Sequence, residues 1–249
     1  MDTKIIAHRG ASAYKPENTL PAFELAIKQG AHGFELDVHL TKDGEVVVAH
    51  DLTVERVSNG AGRICDYDLA DLKKLDFSAP LPDCGFCSVP TLAEVYALIA
   101  DTSLTINVEL KTTQEFYPTM PEKLLALEKE YAMEGRVIYS SFNHYSLLAI
   151  KKHNKNADIG ILYDLGLVDP WEYAKKLGAV AIHPHYHIIA ALPDTVARCH
   201  QEGIQVNVWT VDNPKAIEYM ISLGVDNLMT NTPDIAITTI TKNTSSLPL

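Results

Sequence analysis

Eight apolar, β-branched runs of strand length alternate along this chain with stretches of helical periodicity, and no other feature restricts the fold so tightly. The runs cover residues 5–8, 33–40, 104–111, 136–141, 158–163, 179–183, 204–210 and 225–230. Amphipathic segments at 18–29, 92–100, 121–131 and 213–223, with a short closing one from Pro233, predict helices between them. Gly30, Gly178, Gly203 and Gly224 each follow a helical pattern, where a left-handed cap ends a helix. Repeated βα units build a parallel sheet, either open or closed. An open doubly wound sheet usually carries a glycine-rich phosphate loop after its first strand, and this sequence has none. The chain has 249 residues, close to the roughly 250 of a (β/α)8 barrel. One such barrel, a single domain over residues 1–249, is the expectation.

Two segments break the rhythm. Lys42-Asp43-Gly44 predicts a tight turn from the second run into another, residues 45–50, as a hairpin extension. Residues 52–90 then hold Gly60, Gly62, Pro80, Pro82, Gly85 and Pro90 with one short helical piece at 69–75. This is expected to be an insertion in a βα connection, lying over the active face. The Thr/Ser-rich end from Thr238 is expected to fray.

Inward positions of barrel strands normally pack as apolar core, so an ionised carboxylate there costs several kcal/mol unless it is neutralised. Yet the second run reads Phe34-Glu35-Leu36-Asp37 and the third Asn107-Val108-Glu109-Leu110-Lys111. Residues two apart on a strand share a face, so Glu35 points with Asp37, and Glu109 with Lys111. A closed barrel has no solvent-exposed edge to receive these charges, which leaves its mouth. Three carboxylates without a thiolate make an oxygen cage for one hard divalent cation, Mg²⁺ or Ca²⁺, with an ion-paired mouth lacking metal as the alternative.

His8 and Arg9 close the first run beside Glu35 and Asp37, and His50 ends the hairpin run with Asp51 after it. An isolated histidine is usually structural; two that end apolar runs next to ionic residues suit proton transfer near neutral pH. Arg9, Lys111 and a cation would make the site positive within a chain of formal charge −11, which fits an anionic, phosphoryl-bearing substrate. The same net charge argues against a nucleic-acid partner. No apolar run approaches the ~20 residues of a membrane span, so no stable membrane anchor is expected, and the immediate entry into a strand leaves no room for a signal peptide, which suggests the cytoplasm. The four cysteines, Cys65, Cys84, Cys87 and Cys199, are too scattered for a disulfide framework, and Cys84 and Cys87 are read as reduced loop thiols.

From these residues outward the sequence resembles the glycerophosphodiester phosphodiesterase family. The likeness runs through HRGASAYKPENTLPAF (8–23), FELDVHLTKDGEVVVAHD (34–51), ADLKKLDFS (70–78), VPTLAEV (89–95), NVELK (107–111), SSF (140–142), HPHY (183–186), VNVWTVD (206–212) and GVDNLMTNTP (224–233). It implies a (β/α)8 barrel with a small insertion after the second strand, and a divalent ion on Glu35, Asp37 and Glu109. It also implies His8 and His50 as the acid–base pair, Arg9 and Lys111 on the phosphate, and Phe142 and Trp209 at the substrate, with Trp209 as an apolar wall. Glu17 is expected to brace the first loop against Arg9. The family often has an aspartate where Asn231 stands and a threonine pair in the segment of Val57 and Ser58.

The implied reaction is hydrolysis of a small glycerophosphodiester to sn-glycerol 3-phosphate and an alcohol, with His8 assigned as the acid and His50 as the base. The attacking oxygen comes from water or from the neighbouring glycerol hydroxyl. A lysophospholipase D-type activity needs an apolar route over the mouth, to which Phe77, Leu81, Phe86 and Val89 contribute little. A non-catalytic barrel binding phosphorylated ligands need not keep both histidines with all three carboxylates. His183, His185 and His187 alternate, but the resemblance assigns them no metal; His39 is read as a rim residue, and His32, His144, His153 and His200 as solvated.

Overall fold

A computed structural model describes residues 3–79 and 81–245; Met1, Asp2, Pro80 of the insertion and residues 246–249 lie outside the described residues. The nine strands are β1 (Lys4–His8), β2 (Gly33–Leu40), β3 (Val46–Val48), β4 (Thr105–Leu110), β5 (Val137–Ser141), β6 (Asp158–Tyr163), β7 (Ala181–Pro184), β8 (Gln205–Val208) and β9 (Asn227–Thr230). All except β3 are parallel to their neighbours, and β1 pairs with both β2 and β9, which closes an eight-stranded barrel. The helices are α1 (Leu20–Lys28), α2 (Leu69–Leu72), α3 (Leu92–Ile99), α4 (Met120–Glu130), α5 (His144–His153), α6 (Pro170–Leu177), α7 (Tyr186–Ala191), α8 (Asp194–Gln201), α9 (Pro214–Ser222) and α10 (Pro233–Ser245).

Local chemistry places the helix starts. Thr91 accepts from the Glu94 amide (3.2 Å) while Glu94 accepts from the Thr91 amide (2.7 Å), a capping box that opens α3. Asn213 caps α9 in the same sense, accepting from the amides of Lys215 and Ala216. The outward residues of the strands meet the apolar helix faces; Phe34 of β2 lies against Phe23 of α1 with ring centroids 5.0 Å apart.

Within the barrel the packing differs from the expected apolar one. The His183 ring is paired with Asn207 (2.9 Å), which accepts from Asn227 (2.7 Å), and all three lie on inward positions. A Cβ at Gly160 would overlap the His183 ring, so only glycine leaves room for it there. Burial holds His183 neutral, with its pKa down at about 3. The unfolded chain, at about 6.5, therefore takes up the proton first as pH falls, so stability is whole above that value and is lost progressively toward pH 3. From pH 7 to pH 5 this one group is expected to cost about 2 kcal/mol. Thermal melts at the two pH values check it: His183→Gln should flatten the loss, and an unchanged slope would refute the assignment.

β3 runs antiparallel to β2, with Val38 opposite Val48, after a turn in which the Gly44 amide donates to the Thr41 carbonyl. It is shorter than the run 45–50 because the chain leaves β2 once the Ala49 amide has bonded to the Asp37 carbonyl (3.0 Å). The segment that follows contains α2 and the 3-10 turns Ile64–Asp66 and Pro82–Cys84. It gathers a second core from Val47, Val54, Val57, Ile64, Leu72 and Phe77, so Val57 packs as an apolar residue while Ser58 donates to the Val54 carbonyl. The closing helix α10 is longer than read from sequence and continues through Thr238 to Ser245. Ile235, Ile237 and Ile240 pack on the core, and the hydroxyls of Thr238 and Thr239 bond back to carbonyls one turn earlier, which turns apparent breakers into helix residues.

Candidate active site

Strand register, more than any loop, assembles the charged cluster. His8 of β1 stands level with Glu35 of β2, and Asp37 level with Glu109 of β4. The carboxylates of Glu35, Asp37 and Glu109 each place an oxygen within 4.8 Å of the others, and all three residues are buried. Among the described residues this is the only group of three acidic, histidine or cysteine side chains gathered so closely. The imidazoles of His183, His185 and His187 are not part of any such group, and all four cysteines are free thiols.

The cations answer the carboxylates unevenly. Lys111 donates to Glu109 (2.8 Å) and stands 3.6 Å from Asp37, while the Arg9 Nε lies 3.3 Å from Asp37. Asp37 also accepts from Asn18 (2.9 Å). Burial opposes its ionisation, yet Arg9 and Lys111 hold its carboxyl well below the ordinary aspartate range. Glu35 accepts only the Arg9 amide (3.2 Å) and has His8 at 3.8 Å. Burial, then the charges of Asp37 and Glu109, push it well above the ordinary value, while burial and the charge of Asp37 lift Glu109 to about 7. Three carboxylates thus face two side-chain cations, and the Asp37 Oδ1 is buried without a hydrogen bond. An all-oxygen donor set with surplus negative charge fits a hard divalent cation.

The loop after β1 is shaped to deliver Arg9. Arg9 itself takes a left-handed conformation (φ 57°), uncommon for a non-glycine residue. Its amide donates to the Glu35 carbonyl and its carbonyl accepts from Asn18. Gly10 follows at φ 82°, where a Cβ would come within 2.7 Å of Ala22. The guanidinium is also held by Glu17 (2.9 Å), which is gripped in turn by both terminal nitrogens of Arg56 from the insertion (2.8 Å each). Arg56 reaches Asp51 too, at 2.6 and 3.1 Å, and Asp51 accepts from His50 (2.6 Å).

His8 and His50 line one small cavity of about 80 Å³ together with Arg9, Glu35, Glu109 and Lys111. Phe142 and Trp209 form another wall of it, edge to face with centroids 5.5 Å apart. Trp209 is fixed by its indole N–H, which donates to the His183 carbonyl (2.8 Å). Asp37 and Glu17 are outside its lining and meet it through Arg9, which both contact.

Several residues that hold the site carry no sequence signal of their own. Asn231 accepts from His8 Nδ1 (2.7 Å) and donates to Asp212 (2.7 Å), across 223 positions of sequence from His8. Asn18, the first residue of the helical segment read over 18–29, precedes the helix with a left-handed backbone (φ 57°) and donates to Asp37 instead. His39 is not a rim residue: it is fully buried, and its ring joins the Tyr117 hydroxyl (3.1 Å) to the His50 carbonyl (3.2 Å), tying β2 to the backbone of His50. His144 is half-buried between the Tyr173 hydroxyl and the Leu162 carbonyl, and the His32 ring accepts from the Ile5 amide, so neither is simply solvated.

A closed parallel barrel whose strand ends bring acidic groups, paired cations and two histidines to one mouth defines a phosphoryl-directed enzyme of the barrel class. The model of the Glycerophosphoryl diester phosphodiesterase family matches residues 8–235. A glycerophosphodiester phosphodiesterase of Caldanaerobacter subterraneus subsp. tengcongensis is 45% identical over 244 residues, covering 97% of this chain and 99% of that protein. Among solved structures, a glycerophosphodiester phosphodiesterase of Parabacteroides distasonis superposes with a TM-score of 0.84 at 29% identity, covering 98% of each chain. An Oleispira antarctica phosphodiesterase, solved with its product sn-glycerol-3-phosphate, gives a TM-score of 0.85 at 26% identity, covering 96% of this chain and 97% of that one. The chain belongs to the glycerophosphoryl diester phosphodiesterase family and is a phosphoric diester hydrolase.

Proposed function

We propose that this enzyme hydrolyses glycerophosphodiesters, such as glycerophosphocholine or glycerophosphoethanolamine, to sn-glycerol 3-phosphate and an alcohol, using a divalent cation, Mg²⁺ or Ca²⁺, and two proton-carrying histidines. The observation that carries this reading is the meeting of His8, His50, Arg9 and Lys111 with the carboxylate triad around one cavity. The product bound to the Oleispira antarctica relative supports the same product here.

Glu35, Asp37 and Glu109 would hold the cation, which supplies positive charge against the non-bridging oxygens of the phosphate. Arg9 and Lys111 grip the same oxygens, where negative charge grows as phosphorus becomes five-coordinate. The amide of Asn231 is oriented by its donation to Asp212, so its oxygen faces His8 and Nδ1 of that ring must be the protonated nitrogen. The lone pair then lies on Nε2, toward Glu35. Burial and Arg9 bring the His8 pKa down to about 4, which keeps the ring neutral. We therefore give His8 the part of base toward the attacking O–H and His50 that of acid toward the leaving alkoxide, opposite to the split taken from sequence. Phe142 and Trp209 flank the glycerol, and Glu17 holds Arg9 in place.

Chelation followed by separate return of Mg²⁺ and Ca²⁺, with product analysis, tests the proposal. Turnover should vanish on chelation and return with one or both ions, with sn-glycerol 3-phosphate as the phosphorylated product. Full turnover after chelation, or a different phosphorylated product, would overturn it. The free state of all four cysteines is in keeping with the reducing cytoplasm, where we place the enzyme. Among the described residues no helix is long and apolar enough to cross a membrane.

One observation favours a second reading, hydrolysis of lysophospholipids. An apolar groove of about 510 Å³ runs along the β6–α6 connection and the start of α8, past Leu167, Val168, Trp171 and Leu192, with Val168 84% exposed. A groove of that character suits an acyl chain. Turnover of lysophosphatidylcholine beside glycerophosphocholine separates the two readings; turnover confined to the water-soluble diester would exclude the lipid.

A further inference from the structure

We infer that a second cavity, of about 440 Å³ and sharing His50 and Lys111 with the first, seats the variable alcohol of the substrate, and that it favours an uncharged polyhydroxyl head group over a quaternary ammonium. This rests on the glycerophosphodiesterase reading above.

Continuity comes first. His50 and Lys111 line both this cavity and the small one that contains Glu35, Glu109 and Arg9. A phosphate held between Arg9 and Lys111 therefore has one ester arm passing His50 into the larger space. Size agrees. The small cavity, about 80 Å³, corresponds to roughly three water volumes and is filled by phosphate and part of a glycerol, whereas about 440 Å³ corresponds to roughly fifteen.

The lining decides the chemistry. Thr53, Thr113 and Gln114 are the neutral polar residues of the lining, and the Thr53 hydroxyl is bonded to Glu55. Thr113 and Gln114 are exposed, and neither side chain has a hydrogen-bond partner among the described residues, so both are free to bond to a ligand. Asp51, the acidic group of the lining, is already engaged by two hydrogen bonds from Arg56 and one from His50, which leaves little to attract a cation. Lys111 adds positive charge. Recognition of quaternary ammonium groups uses the faces of Trp, Tyr or Phe, and none of these lines the cavity; Phe142 and Trp209 lie in the other one. Hydroxyl groups of a glycerol or inositol head meet donors and acceptors here, and a trimethylammonium meets neither a carboxylate free to pair nor an aromatic face.

The test compares kcat/KM for glycerophosphoglycerol, glycerophosphoinositol and glycerophosphocholine in the metal-loaded enzyme, and in Thr113→Val and Gln114→Leu. The wild type should prefer the two polyol substrates. Each substitution should lower the polyol-over-choline ratio by about 2- to 10-fold, mainly through KM, as expected for one neutral hydrogen bond. Equal handling of the three head groups by wild type, or a loss in the variants shared equally among them, overturns the head-group assignment. Release of sn-glycerol 3-phosphate by wild type would still uphold the underlying activity in that case. No release from any of the three diesters sinks both.

Discussion

His8→Ala and His50→Ala are each expected to lower turnover by about 10²- to 10⁴-fold, the usual contribution of a positioned acid or base. Both rings lie at the cavity wall rather than in the packed core, with side chains 14% and 30% exposed, so the variants should melt close to wild type. The two losses should differ in how they depend on the leaving group. His50 faces the departing alkoxide in our assignment, so His50→Ala should recover when the leaving alcohol is a good one, such as a nitrophenol that needs no proton. His8→Ala should not recover in that way. Near-normal turnover in both variants would end the histidine assignment, and recovery of His8→Ala alone would restore the opposite split.

Neutralising two carboxylates of the triad should move stability in opposite directions. Asp37 stands against Arg9 at 3.3 Å and Lys111 at 3.6 Å and accepts from Asn18. Asp37→Asn removes a buried carboxylate from two part-buried cations that share it, a change that typically costs about 3 to 5 kcal/mol, or roughly 6–20 °C of melting temperature for a chain of this size. Glu35 has no side-chain cation in hydrogen-bond contact and suffers burial and the fields of Asp37 and Glu109. Glu35→Gln should therefore raise the melting temperature of the metal-free protein. Added Mg²⁺ or Ca²⁺ should stabilise wild type by mass action and have little effect on either variant. Melting curves with and without cation read all of this. Equal shifts in the two variants would show that the triad is balanced by its ion pairs and that our account of its surplus charge is wrong.

The strands were largely legible because burial on both faces of a parallel barrel strand writes a continuous apolar run. β2 matches the run 33–40 at both ends, and β6 matches 158–163. All four glycines read as helix stops adopt positive φ, between 67° and 81°. Legibility failed where a signal was compositional rather than periodic. The threonines of α10 resemble loop residues until their hydroxyls find carbonyls one turn back, and His39 resembles a rim residue until Tyr117 covers it, 78 positions further along. The charges in β2 and β4 were conspicuous for the opposite reason: ionic side chains in an apolar run have no local explanation, so a site was the remaining one.

By itself the sequence determined the alternation of strand and helix, and which charged side chains share a strand face, because both follow from local periodicity and the two-residue repeat of a strand. Only the tertiary structure decided how those faces meet. Closure of β1 onto β2 and β9 sets the register that levels His8 with Glu35 and Asp37 with Glu109. It also brings Asn231 from the last strand's exit to the ring of His8, and Arg56 from the insertion to Glu17. Those contacts depend on distances between residues remote in the chain, which no local pattern encodes, and they choose the tautomer of His8 and the cavity each histidine faces.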